Sequence, residues 1–141
     1  VGGQVLDLAA EGSTLALEDL IQVHRRKTGA LIAASVVMGA IAARADATRL
    51  VAARRYGEEI GLAFQIADDL LDRSATSVEL GKTAGKDERR HKPTFATVMD
   101  PAVAAAEAAR CVERAVAHLR EARIDSTLLN DLAQFIVNRR S

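Results

Sequence analysis

Asp68, Asp69 and Asp72 stand together in FQIADDLLDR, residues 64–73, a stretch whose other members are mostly apolar. On a helix, carboxylates three and four residues apart lie side by side. Such like-charge pairs repel by roughly 0.2–0.5 kcal/mol each when exposed, and by more where water is excluded. Gln65 precedes them at helical spacing, so Gln65, Asp68, Asp69 and Asp72 are expected to share one face. The helix is expected to end at Asp72, where the macrodipole disfavours a carboxylate by a further ~0.3–1 kcal/mol. A hard divalent cation with oxygen ligands would resolve both conflicts. Mg²⁺ fits best, because it takes one or two carboxylates, keeps waters and bridges to substrate phosphates. A solvated acidic helix end is the alternative, and the three aspartates alone do not decide between them.

Two further stretches carry cations suited to phosphate. GKTAGKD, residues 81–87, places Lys82 and Lys86 among Gly81 and Gly85, followed by Asp87. Small residues leave backbone N–H groups accessible, and lysine brings a mobile point charge to phosphate. The spacing is not that of a Walker loop, and no strand leads into it. HRRKTGALI, residues 24–32, sets Lys27 and Thr28 at the expected start of an apolar helix, a position where N–H groups, an ammonium and a hydroxyl can bind an anion. Ordinary helix-start chemistry is the alternative there. His24 has no second histidine at metal-ligand spacing and reads as structural; His91 and His118 read as solvated. Carboxylates for Mg²⁺, lysines for a polyphosphate and long apolar helices together describe a site for a substrate with a diphosphate head and a greasy tail.

The elements that must position these residues read as helices throughout. The 141 residues hold only two prolines and 3% aromatics, and no convincing stretch alternates with period two. A first helix is expected over 14–24 and a long apolar one over 26–44. A third, capped by Asp46, is expected over 47–72. Gly57 and Gly61 lie within it four apart, a spacing that lets another backbone approach or allows a bend. Residues 73–95 are polar, contain Gly81 and Gly85 and end near Pro93, so they read as the one loop long enough for function. Asp100 with Pro101 opens a helix to about 122, and a last helix covers roughly 126–139. These two read as scaffold.

Composition narrows the class. One domain of this length with 49% hydrophobic residues can bury a sizeable core. Lys+Arg and Asp+Glu both number 19, so no global field draws the chain to nucleic acid or an anionic membrane. The single Cys111 excludes a disulfide framework and a thiolate-rich metal site. It reads as a small packing residue, and a reducing cytoplasm is the expected compartment. The longest uncharged run, residues 28–43, is too short for a membrane span of roughly 20 residues.

GGQVLDL, HRRKTGALI, FQIADDLLD and LGKTAGKD…KPTF occur here in the order and spacing of the trans-isoprenyl diphosphate synthases, the farnesyl and geranylgeranyl diphosphate synthase family. The resemblance covers nearly the whole chain. It implies an all-α, isoprenoid-synthase-type helical bundle, with residues 1–141 forming the C-terminal half of one polyprenyl synthetase domain. Asp68, Asp69 and Asp72 resemble the family's second aspartate-rich motif. By that likeness Asp68 is a direct Mg²⁺ ligand, Asp72 acts closely or through water, and Asp87 holds metal-bound water. Lys27, Thr28, Gln65 and Lys82 are similar to the allylic diphosphate contacts, and Lys92 to a further lysine near that site. Phe64 would face isopentenyl diphosphate. Gly2, Gly3 and Gln4 match a motif that closes a helix end near the cavity, with Asp7 beside it. The implied reaction is Mg²⁺-dependent head-to-tail condensation of isopentenyl diphosphate with an allylic prenyl diphosphate, in a homodimer. The family's first aspartate-rich motif, with its Arg pair, is not in this chain. An N-terminal part is therefore expected to be missing, and the chain alone is expected to be inactive. The alternative is a short noncatalytic or complementing subunit of a heteromeric synthase.

Overall fold

The computed structural model describes residues 2–9, 15–80 and 93–139. All of its regular elements among the described residues are helical: α1 (Gly2–Ala9), α2 (Leu17–His24), a π-helical turn (Arg25–Gly29), α3 (Ala30–Ala42), α4 (Ala47–Leu80), α5 (Phe95–Val98), α6 (Pro101–Glu121) and α7 (Thr127–Asn138). None of these helices is long and apolar enough to cross a membrane.

Local chemistry sets most boundaries. The Asp46 carboxylate accepts from Arg49 N at 2.9 Å and caps α4. Asp100 accepts from Ala102 N and Val103 N, with Pro101 in the first turn of α6. Ser126 accepts from Leu129 N and opens α7. A side-chain cap of this kind contributes ~1 kcal/mol. The ends of α3 and α6 close without glycine: Arg44 and Arg123 both take φ 56°. Ala45 N then reaches Ala40 O, and Ile124 N reaches Leu119 O, satisfying carbonyls the helix leaves open.

α4 is the central rod. It buries Tyr56, Ile60, Ala63 and Ile66 against the Ala104–Ala108–Cys111–Ala115 seam of α6, whose small side chains recur at spacings of four, three and four. Leu20, Phe95, Leu119 and Ile136 close this core. Each such large apolar side chain gains roughly 1.5–3 kcal/mol from burial. The Tyr56 hydroxyl, taken out of water, donates to Leu129 O at 2.7 Å and ties α4 to α7. Cys111 is fully buried in the seam, as its packing role requires. On the other side α4 meets α3 at very close range. A Cβ placed on Gly57 would lie 2.6 Å from Ala33 Cα, and one on Gly61 would lie 2.6 Å from Gly29 Cα. The paired glycines therefore serve backbone approach and not a bend.

Two expectations need correction. α4 does not stop at Asp72 but runs on to Leu80, eight residues further. Nothing between 73 and 80 is Gly or Pro, so the polar composition there does not break the helix. Asp72 accordingly lies roughly two turns inside the helix end, beyond the reach of the dipole penalty, which fades within the last turn. Next, no helix begins at Lys27. Backbone dihedrals are α-helical at His24, at Gly29 and at Ala30, so α2, the π turn and α3 form one continuous helical path. Lys27 and Thr28 thus cannot use helix N-terminal amides to bind an anion, and only their side chains remain for that purpose. GGQ opens α1. Gly3 packs so tightly on the π turn that any Cβ would overlap the backbone of Arg26 and Lys27.

Candidate active site

The four residues expected on a single face of α4 do not all turn the same way, and the neighbours Asp68 and Asp69 diverge by about 100° at 3.6 residues per turn. Gln65 and Asp69 form the inner row, which faces α2 and α5. Phe64, Asp68 and Asp72 form the outer row, which faces the end of α7 and solvent.

The inner row is a hydrogen-bonded knot. Gln65 is buried, and its Oε1 accepts from His24 Nδ1 at 2.9 Å and from Thr28 Oγ1 at 3.1 Å. The π turn is what brings Thr28 round to this side, one extra residue per turn shifting the register of the path. Asp69 Oδ2 accepts from Phe95 N at 2.8 Å and lies 3.8 Å from His24 Nε2. The His24 ring stacks on Phe95 with centroids 5.2 Å apart and planes 22° apart. Burial pushes the Asp69 carboxyl above its ordinary range, partly offset by the Phe95 N–H and His24 and reinforced by Asp68 and Asp72. Asp69 therefore ties α5 to α4 through one carboxylate oxygen and is the inward member of the acidic group.

The outer row is open. The Asp68 side chain is 47% exposed and its Oδ1 accepts from Arg139 Nη2 at 2.9 Å. The same guanidinium lies 4.2 Å above the centre of the Phe64 ring, a cation–π contact. Asp72 is exposed one turn on. One turn beyond Asp69, Arg73 Nη1 donates to Ala96 O at 2.6 Å, a second tie to α5. Among the described residues no three His, Cys, Asp or Glu side chains converge as a metal cage. Two outward carboxylates still suit Mg²⁺, which seldom uses an all-protein cage. Arg139 on Asp68 shows that this row holds positive charge.

Lys27 is half-buried beside Thr28 on the π turn, and Gln4 is exposed on α1. Lys82, Asp87 and Lys92, like Gly81, Gly85 and Lys86, lie outside the described residues. A cavity of about 480 Å³ opens elsewhere, among Arg25, Arg26, Met38, Arg54 and Glu58, and none of the expected site residues lines it. Three participants were not expected from spacing: Arg139, Phe95 and the linking role of His24. Arg139 is 71 residues from Asp68 and His24 is 41 from Gln65, separations that only the fold closes.

The sequence profile of the polyprenyl synthetases matches residues 1–128. The chain belongs to the polyprenyl synthetase family. A farnesyl diphosphate synthase from Geobacillus stearothermophilus is 36% identical over 139 residues, covering 99% of this chain and 47% of that protein. The farnesyl diphosphate synthase of Escherichia coli is 39% identical over 142 residues, covering 98% and 48%. Among solved structures, a polyprenyl synthase from Caulobacter crescentus, complexed with calcium and isoprenyl diphosphate, superposes with TM-score 0.81 at 27% identity. That match covers 99% of this chain and 55% of the other. An FPP/GFPP synthase from Zymomonas mobilis gives TM-score 0.73 at 35% identity, covering 96% and 44%. The chain thus spans about half the length of the relatives it matches, and as a polyprenyl synthetase segment it has their all-helical fold.

Proposed function

We propose that this polyprenyl synthetase segment supplies the allylic-diphosphate side of a prenyltransferase that condenses isopentenyl diphosphate head-to-tail with an allylic diphosphate. The observation that carries the reading is the two-row arrangement on α4. Asp68 and Asp72 face outward as oxygen donors, while Gln65 is bonded to Thr28 of the KTG stretch, next to Lys27. The calcium and isoprenyl diphosphate in the Caulobacter relative support a cation-and-diphosphate site in this fold.

In this reading Asp68 and Asp72 would hold Mg²⁺, which when bound supplies Lewis-acid stabilisation of charge on the departing diphosphate. Lys27 and the Gln65 NH₂ bind the allylic diphosphate, and Thr28 beside them gives its one O–H donor to Gln65 Oε1. Lys82 and Lys92 add positive charge, and Asp87 orients water near the metal. Phe64 offers its ring edge and face on the isopentenyl side, and the apolar helix walls keep water from the allylic cation. The released diphosphate takes the proton lost after attack, so no protein base is assigned. The catalytic unit includes a further half that carries the first aspartate-rich motif, acts as a homodimer, and is not replaced by this chain alone.

The test is Asp68→Asn in the complete enzyme. Turnover falls by about 10²–10³, the scale of losing one preorganised electrostatic contact, with helicity by circular dichroism unchanged. Near-normal turnover would overturn the metal assignment.

A further inference from the structure

We propose that His24 is a positioning residue for diphosphate binding, acting by fixing which end of the Gln65 amide faces the substrate. The proposal rests on the preceding reading, in which Gln65 contacts the allylic diphosphate.

An amide carbonyl has two acceptor sites, and Gln65 Oε1 uses both: one for His24 Nδ1 at 2.9 Å, one for Thr28 Oγ1 at 3.1 Å. With the oxygen pinned on the His24 side, the planar amide must direct its NH₂ group the other way. Two N–H donors suit an anionic diphosphate. The flipped amide would present a carbonyl oxygen to that anion and repel it. Thr28 cannot choose between the two states, because a hydroxyl both donates and accepts. His24 can, because its Nδ1 either carries a proton or offers a lone pair. The protonated form matches the pinned oxygen.

His24 is itself held rigidly enough to make that choice. It is 5% exposed, stacks on Phe95 and has Nε2 3.8 Å from the Asp69 carboxylate. Asp69 is in turn bound to Phe95 N at 2.8 Å. The amide orientation is thereby tied to α2, α4 and α5 together.

Two near-isosteric replacements separate this role from simple packing. In His24→Asn the side-chain NH₂ stands where Nδ1 stood and can still donate to Gln65. In His24→Gln the NH₂ stands where Nε2 stood, on the Asp69 side, and the donor to Gln65 is lost. Both are measured in the complete enzyme with Mg²⁺, dimethylallyl diphosphate and isopentenyl diphosphate. H24Q raises the KM for dimethylallyl diphosphate about tenfold, the scale of one hydrogen bond to a charged group, with kcat and the isopentenyl KM changed much less. H24N stays near the wild-type KM. Nitrogen-15 NMR of the imidazole shows the proton on Nδ1. Gln65→Leu raises the same KM, and adding H24Q to it raises the KM no further, because the two act through one contact. Equal KM values for H24N and H24Q, additive effects with Q65L, or an unprotonated Nδ1 would overturn the role of His24. If Q65L itself leaves the allylic KM unchanged, Gln65 is not a diphosphate contact and the functional reading falls at that residue together with this one.

Discussion

Asp68 holds its carboxylate half in solvent, against Arg139, whereas the neighbouring Asp69 turns inward and accepts from Phe95 N. The difference of one position on a helix moves a side chain through about 100°, which here separates a candidate ligand from a structural anchor. Spacing in the sequence revealed that carboxylates cluster, and that much holds. It did not reveal which of them the fold would turn inward, because the deciding partners, His24 and Phe95, come from other helices. Arg139 was equally out of reach, since nothing local connects it to residue 68. Its contact has a consequence for metal binding. A guanidinium 2.9 Å from Asp68 Oδ1 competes for the oxygen that a cation would use. Arg139→Ala is expected to tighten Mg²⁺ or Mn²⁺ binding by up to about fivefold, the range of a partly exposed ion pair. Titration calorimetry, or the Mn²⁺ electron-paramagnetic signal, measures it without reference to turnover. An unchanged or weaker affinity would mean that Arg139 does not compete at Asp68.

At the scale of elements, caps were legible because they are local. Asp46, Asp100 with Pro101, and Ser126 each open a helix where their side chains suggest. The fusion of α2 with α3 was not legible, because it depends on contacts between helices, and the length of α4 was masked by the polar composition of residues 73–80 although no Gly or Pro breaks that stretch. The crossing of α3 with α4 is set by glycines, and this can be tested. Gly61→Ala adds a methyl that gains up to about 1 kcal/mol in helix propensity. The same methyl meets the Gly29 Cα at 2.6 Å, a backbone atom with no rotamer to escape by. Overpacking costs typically ~1–3 kcal/mol, so the variant is expected to be less stable; a raised melting temperature would mean that the crossing is looser than this. The α4–α6 contact is also laced by charge. Arg114 Nη2 lies 2.9 Å from Glu59 and 3.1 Å from Glu107, and Arg110 lies 2.7 Å from Glu107. Partial burial pushes the Glu107 carboxyl up, but the bonds from Arg110 and Arg114 outweigh it and hold the group below its ordinary value of 4.5. A carboxyl lowered on folding stabilises at pH above its unfolded value and loses that contribution as pH falls through its folded one. The stability difference between the protein and Glu107→Gln is therefore expected above pH 4.5 and to shrink below it, as urea titrations at several pH values would show. A difference that grew on acidification would reverse the sign assigned to Glu107.

At the scale of the whole molecule, the hydrophobic content pointed correctly to a sizeable helical core but not to where its apolar surface remains uncovered. Large apolar side chains stay exposed on several of the described helices, most densely on α3 and α7. Leu31, Met38 and Ile41 line α3, and Leu128, Leu132 and Phe135 follow at spacings of four and three on α7. Helical spacing of this kind normally marks a face turned toward a partner surface, and contiguous apolar patches on soluble chains tend to be interaction sites. α3 makes the point clearly: it is apolar nearly all round, yet among its residues only Ala33 is fully buried. A helix apolar on all sides is ordinarily enclosed on all sides. The half-length match to the relatives fits this, since the proposed catalytic unit brings a further half to pack beside these helices. The 141 residues purified by themselves are accordingly expected to self-associate at micromolar concentration and to enhance the fluorescence of an apolar dye such as ANS. Leu128→Lys with Phe135→Lys should reduce both signals while leaving the melting temperature nearly unchanged, because both side chains lie outside the core, at 77% and 64% exposure. Sedimentation velocity separates the outcomes: a monomer that binds no dye would show that the stripes on α3 and α7 are ordinary scattered surface residues. An oligomer that the two lysines leave intact would place the association away from the α7 stripe.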